Sequence, residues 1–256
     1  MIKKRIIPTL LLQNDELVKT KNFKIPQYIG DPINTVGIFN DLAVDELIIQ
    51  DISIDNLKNE NINFKTLKSL ASECFMPLSY GGGIKSLRDA EKIFKVGFEK
   101  IIINTASFLD ISFLSRLIKN FGSQSIIHSI DVKKNLFHKY IIYTNSGKKK
   151  INVPLDQWLQ KINEIEVGEV IITNIDKEGT WSGFDFNLVR YVSEMMTMPV
   201  IANGGCGSKE HLKKIFKLTT VSAAAVGSMF LYQKQNMGVL VNYLDENEIT
   251  EIFNEL

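Results

Sequence analysis

MPLSYGGGIKSLRDAEKIFKVGFEKIIINTASF, Met76–Phe108, returns as MPVIANGGCGSKEHLKKIFKLTTVSAAAVGSMF, Met198–Phe230, without a gap and at a constant offset of 122 residues (198 − 76). Both copies keep Met-Pro, two adjacent glycines, a serine, Ile-Phe-Lys and a serine close before a phenylalanine. Self-similarity at about half of a 256-residue chain means two halves built on one plan, approximately 1–122 and 123–256. A site in one half is then expected to have a counterpart in the other.

Outward from the repeat, short β-branched runs alternate with longer amphipathic segments, and no linker divides them, so 1–256 reads as one domain. Eight strands are expected: Arg5 to Leu12, Glu46 to Asp51, Met76 to Tyr80, Lys100 to Asn104, Ser125 to Asp131, Glu169 to Thr173, Pro199 to Ala202 and Val221 to Val226. Between them, Leu87, Ala90, Ile93 and Phe94 share one helical face, and Leu212, Ile215 and Phe216 share another. Helix starts are marked by Pro32 and Pro154 in first turns and by Ser86, Asp110 and Asp185, whose side-chain oxygens can cap free N–H groups. The strands are continuous apolar runs, as in parallel strands covered on both faces. Eight β/α units in about 250 residues is the size of a TIM barrel. An open doubly wound sheet is the alternative, but no GxGxxG follows the first strand. A polar hairpin, His138 to Tyr143 and Lys149 to Val153 around Asn145-Ser146-Gly147, is expected after strand five.

Composition excludes several classes. Thirty basic residues against 29 acidic ones leave a formal charge of +1, so bulk charge gives no case for nucleic acid or an anionic membrane. Cys74 and Cys206 have neither the number nor the spacing of a disulfide framework or zinc site and read as reduced, packed thiols, with cytoplasm the default location. The basic, apolar start at Met1 to Leu12 is cut short by Pro8 and by Gln13 to Glu16, so neither a signal peptide nor a membrane span is expected. His128, His138 and His211 share no ligand spacing with acids, and no metal is assigned.

Gly81-Gly82-Gly83 follows strand three and Gly204-Gly205 with Gly207 follows strand seven. Glycine lets backbone approach a ligand, and such a turn suits a phosphate, although a tight βα turn alone also explains it. The pairing of each cluster with a small polar strand end, Asn104-Thr105 and Gly227-Ser228, points to two anion loops and a doubly anionic ligand. Acids also fall at strand ends: Asp51, Asp131, and Asp176 with Glu178. A carboxylate there can serve as general acid or base, or merely cap a loop or pair with a lysine. Arg5, Glu46, Lys100 and Glu169 stand at strand starts, either as a solvated rim or as a salt-bridged floor.

The residues resemble the cyclase subunit family of imidazole glycerol phosphate synthase over nearly the whole chain. The likeness runs through Lys19 with Asn22-Phe23, Gly30-Asp31-Pro32, Gly81-Gly82-Gly83-Ile84, Ile103-Asn104-Thr105, Phe121-Gly122-Ser123-Gln124, Ile130-Asp131, Asp176-Lys177-Glu178-Gly179-Thr180, Ser182-Gly183 and Gly204-Gly205. The resemblance implies a TIM barrel of two half-barrels in a heterodimer with a glutaminase. The partner's ammonia enters at the strand-start face and is used at the opposite face on a substrate with a phosphate at each end, without a further cofactor. Carried over by position, it implies Asp131 as catalytic and Gly83, Asn104, Thr105, Lys19, Glu178, Gly179, Gly205, Gly227 and Ser228 as phosphate or substrate contacts. It also implies Arg5, Glu46, Lys100 and Glu169 as an ammonia gate, with Glu99 as a docking charge.

Three departures qualify the likeness. The family has an aspartate at the end of strand one as well as strand five, but Thr9-Leu10-Leu11-Leu12 places Leu11 there; Glu178 stands where the family has Asp; and the lid element Asn14 to Tyr28 keeps little beyond Lys19. Asn104-Thr105-Ala106-Ser107, Glu73 to Leu78 and Asp131 to Lys134 are more similar to a divergent branch that accompanies surface-polysaccharide or flagellin glycan biosynthesis, where an acetamido group of a nucleotide sugar becomes an acetamidino group. An amide carbonyl needs activation before ammonia displaces its oxygen, and the chain has no GxxxxGK[ST] loop for ATP, so a third, ATP-using partner is expected. Alternatives are an authentic cyclase, which closes and cleaves a bis-phosphorylated ribulosyl aminoimidazole, and a non-catalytic activator of the glutaminase.

Overall fold

Strands apolar on both faces must be covered on both sides, and this chain achieves it by closing its sheet. The computed structural model describes residues 4–53 and 62–254. Among the described residues, twelve strands form: β1 Arg5–Gln13, β2 Glu16–Lys21, β3 Lys24–Gly30, β4 Leu47–Asp51, β5 Leu78–Gly81, β6 Lys100–Ile103, β7 Ile126–Lys134, β8 Tyr140–Thr144, β9 Lys149–Lys150, β10 Glu169–Asn174, β11 Val200–Asn203 and β12 Ala223–Val226. The order β1–β4–β5–β6–β7–β10–β11–β12 is parallel throughout, and β12 pairs back onto β1 (Arg5↔Ala223 to Pro8↔Val226). With helices between successive strands, this is a closed (β/α)8 TIM barrel.

Each expected barrel strand is present, with shifted ends. β5 begins at Leu78 rather than Met76, and β7 runs past Asp131 to Lys134 because its end pairs antiparallel with β8 (Asp131↔Tyr143 to Lys134↔Tyr140). Of the expected starts, Pro32 opens the helix Pro32–Asp41, while Pro154 sits one residue before the helix Leu155–Ile165 as its cap residue. Ser86 accepts from the Asp89 N–H at 3.1 Å and its repeat mate Ser208 from the His211 N–H at 3.4 Å, so the duplication preserves capping as well as pattern.

Two hairpins rise from equivalent places, after β1 and after β7. The β8–β9 hairpin is the expected one, shortened to a pairing of Tyr143 with Lys150 and Thr144 with Lys149. Asn14–Tyr28, expected as a lid with no strands assigned, instead forms β2 and β3, with β2 continuing the barrel edge through Leu11↔Val18 and Leu12↔Leu17. Its turns use Asn14-Asp15 (φ 52° and 64°) and Asn22-Phe23 (φ 55° and 58°), the left-handed pairs that tight hairpin turns require. Neither carries the Asn-Gly signature that makes such turns readable.

Alternation along the strands sorts the interior. Ile7, Ile48, Ile102, Ile127, Ile171, Ile201, Ala223 and Ala225 form an apolar cluster separate from the larger core that joins barrel and helices. Each of Arg5, Glu46, Lys100 and Glu169 stands two residues before one of these isoleucines, so the period of two puts the charges in the layer beneath them.

Candidate active site

The mouth of the barrel, at the strand ends, holds an open cavity of about 510 Å3. Gly81, Gly82, Gly83, Asn104, Thr105 and Asp131 line it, and both hairpins reach over it through Asn22 to Pro26 and Asn145 to Lys148. The hairpins touch: a Cβ on Gly147, itself at φ +75°, would come within 3.2 Å of the Phe23 ring. Gly82 is needed for another reason, since at φ +138° a Cβ there would lie 2.5 Å from the Asp51 carbonyl oxygen.

Asp131 is the chemically distinctive group. It is only 9% exposed, and burial pushes its carboxyl up to about 7, against hydrogen bonds from Thr173 and Asn104 that favour the charged form. Asn104 Nδ2 donates to its Oδ2 at 2.9 Å, which leaves Asn104 Oδ1 buried with no hydrogen-bond partner among the described residues. A carboxyl poised near neutrality can give or take a proton. Asp51 also lines the cavity, but its carboxylate is engaged by Ser53 (Oγ at 2.5 Å) and the Tyr80 hydroxyl (3.2 Å). Asp176 lies outside the cavities described, accepting from the Lys134 N–H at 3.0 Å.

A second cleft adjoins the first, sharing Leu11, Phe23 and Gln50, and encloses only about 30 Å3. Its lining brings together Gly179, Gly205, Gly227 and Ser228, expected around one phosphate, with Lys19 and Glu178, expected as phosphate or substrate contacts. Thr9, unremarked in the sequence, also lines it, its Oγ1 buried and without a hydrogen-bond partner among the described residues. Lys19 Nζ pairs with Glu178 Oε1 at 2.8 Å, and Glu178 Oε2 accepts from Thr20 Oγ1 at 3.0 Å and from the Phe23 N–H at 3.1 Å.

At the strand-start face, the four charges close a ring. Arg5 bonds Glu46 at 2.6 Å and Glu169 at 2.5 Å, while Lys100 bonds the same two acids at 3.0 and 2.6 Å. The salt-bridged floor, rather than a solvated rim, is what forms. Burial works against the Glu169 charge, but Arg5 and Lys100 outweigh it and hold the carboxyl below its ordinary range. Glu99 precedes Lys100 and is exposed.

Sequence signals exist for Thr173 and Gln50, which stand one residue before the ends of β10 and β4 on the inward parity, but nothing in the sequence brings Phe23 onto Gly147. Among the described residues, no three His, Cys, Asp or Glu side chains converge as a metal site, and no helix is long and apolar enough to cross a membrane. Cys206 is buried, and burial pushes its thiol up to about 12, which makes it a packing group.

Fold and site define a (β/α)8 barrel with one neutral-range carboxyl and two glycine-rich loops at its mouth, and a closed charged floor at its base. Residues 5–236 match the family model described as histidine biosynthesis protein, and the chain belongs to that family. It is 43% identical over 249 residues to a Pseudomonas aeruginosa protein provisionally named imidazole glycerol phosphate synthase subunit hisF2, covering 97% of this chain and 99% of that one. A Leptospira borgpetersenii protein, provisionally named subunit HisF of the same synthase, is 37% identical over 99% of this chain and 100% of its own. Subunit HisF of Bacillus cereus strain Q1 is 34% identical over 93% of this chain and 94% of its own.

Proposed function

We propose that this barrel is the ammonia-using synthase subunit of a glutamine amidotransferase complex, and that it serves amidination of an N-acetyl nucleotide sugar rather than closure of an imidazole ring. A glutaminase would dock at the strand-start face near Glu99 and release ammonia at the Arg5–Glu46–Lys100–Glu169 ring. The isoleucine-lined interior favours a small neutral molecule over an ion, because an unpaired charge there loses its hydration. At the mouth, Asp131 would take a proton from the nitrogen as it bonds to the carbonyl carbon. A third, ATP-using partner activates the amide oxygen, which leaves with its activating group, so the amide becomes an amidine. No cofactor of the barrel's own and a cytoplasmic setting complete the reading.

One observation carries it. The position in β1 that pairs with the first lid strand as Asp131 pairs with the second is Leu11, and it is 8% exposed. Ring closure with substrate cleavage moves protons at more than one centre, and loss of one acid–base group typically costs about 10²- to 10⁴-fold. The test is turnover of the bis-phosphorylated ribulosyl aminoimidazole by purified barrel plus glutaminase. Absence of turnover is expected, and rates normal for HisF enzymes would overturn the proposal.

An authentic cyclase is the second reading, favoured by the two anion-loop clefts that flank Leu11 and share it. Complementation of a cyclase-deficient strain would support it.

A further inference from the structure

The two glycine clusters are equivalent in sequence, but the spaces beside them are not. The first opens into about 510 Å3, whereas the second leaves about 30 Å3, room for roughly two water molecules. Lining the second is an anion of the chain itself. The Glu178 carboxylate accepts from an ammonium (Lys19), a hydroxyl (Thr20) and a backbone N–H (Phe23), the donor set that phosphate oxygens take in proteins. Lys19 is threaded deep enough that a Cβ on Gly227 would lie 3.3 Å from its Cε and 3.4 Å from its Nζ. Lys19, Glu178 and Ser228 are each at most 7% exposed. Independently, the orphaned Thr9 Oγ1 faces this space, where a water or a ligand oxygen would satisfy it.

We infer that the Glu178 carboxylate is a built-in occupant of the second anion cradle, so the chain as it stands has one open phosphate loop, and Glu178 selects against ligands with a phosphate at both ends. The side chain one methylene longer than the family's aspartate reaches Lys19 and fastens the first lid hairpin, which supplies all three donors, to the loop after β10. This rests on reading both glycine clusters as anion loops.

Calorimetric titration of the folded chain with inorganic phosphate, at fixed ionic strength, tests it. Glu178→Gln should bind one phosphate more per chain than the wild type, with at least about a tenfold gain in affinity at the added site. Its lowered melting temperature should rise with phosphate more steeply than that of the wild type, because binding only the folded state stabilises it. Lys19→Met/Glu178→Gln, lacking the central donor, should gain none. If Glu178→Gln does not fold, Glu178→Asp keeps the charge while drawing it back and should show the extra phosphate more weakly. Equal stoichiometry in the wild type and the folded Glu178 variant overturns the inference, as does a gain in the double variant. The wild-type baseline is a separate readout: no phosphate there counts against the anion-loop reading at Gly83, Asn104 and Thr105, while the increment still decides Glu178.

Discussion

Where β7 begins to pair with its hairpin, Asp131 sits beside an open cavity with Asn104 and Thr173 bonded to it; at the matching place on β1, Leu11 sits between that cavity and a cleft lined by Lys19 and Glu178. The frames are alike: parallel neighbours β4 and β10, pairings Leu11↔Gln50 and Asp131↔Thr173, and an antiparallel hairpin above each. Duplication has thus conserved backbone geometry while the two strand ends diverged in chemistry. Backbone geometry is fixed by many residues and resists change, whereas one side chain at a strand end is replaced without disturbing the barrel.

The largest test of that contrast is Asp131→Asn. The amide is nearly isosteric, so the barrel should fold, while product formation by the complete complex should fall about 10²- to 10⁴-fold. Unchanged product formation would erase the chemical difference between the halves and favour a non-catalytic activator of the glutaminase.

Stability against pH gives a second measure of the same residue. The Asp131 carboxyl titrates near 7 in the fold and near 4 in the unfolded chain, so between those values the folded state holds the extra proton. Its contribution is therefore fully present below about pH 4 and lost as pH rises to about 7, up to about 4 kcal/mol. Wild-type minus Asp131→Asn stability, from urea unfolding at successive pH values, should fall across that window. A flat difference would mean that Asp131 is solvated like an ordinary carboxylate.

Glu169→Gln reaches the base, which both halves build together. It leaves Arg5 and Lys100 sharing Glu46 alone, and the uncompensated charge should cost about 3 kcal/mol. A loss below about 1 kcal/mol in urea unfolding would reduce the ring to a solvated rim. The smallest effect is expected from Leu11→Asp, which puts the same residue type at both strand ends. Burying the new carboxyl should cost about 2 kcal/mol, without creating turnover of the ribulosyl aminoimidazole. A modest rise in an existing turnover would instead favour the cyclase.

The barrel was legible because its evidence is local and repeated. Apolar runs at Arg5 to Leu12 or Lys100 to Asn104 mark buried strands wherever they occur, and the repeat at residues 76 and 198 doubles the signal. The first lid was not, since β2 and β3 hold together through turns at Asn14-Asp15 and Asn22-Phe23, which carry no distinctive sequence. Glu178 was read as a ligand contact, and its position did come beside Gly179, Gly205 and Gly227; that it is bound by Lys19, Thr20 and Phe23 depends on a hairpin more than 150 residues away in the chain.

By itself, the sequence determined the eight-unit plan and the charges at the strand starts, because periodicity and residue type settle which side chains are buried and which can ionise; through its family resemblance it also showed Leu11 standing where the family has an aspartate. Tertiary structure alone decided that the four charges neutralise one another as a ring, that Asp131 is desolvated enough to titrate near 7, and that a buried Lys19–Glu178 pair lines the small cleft beside one of two similar glycine loops. Those outcomes depend on distances between groups far apart in the chain, on which spacing along the sequence is silent.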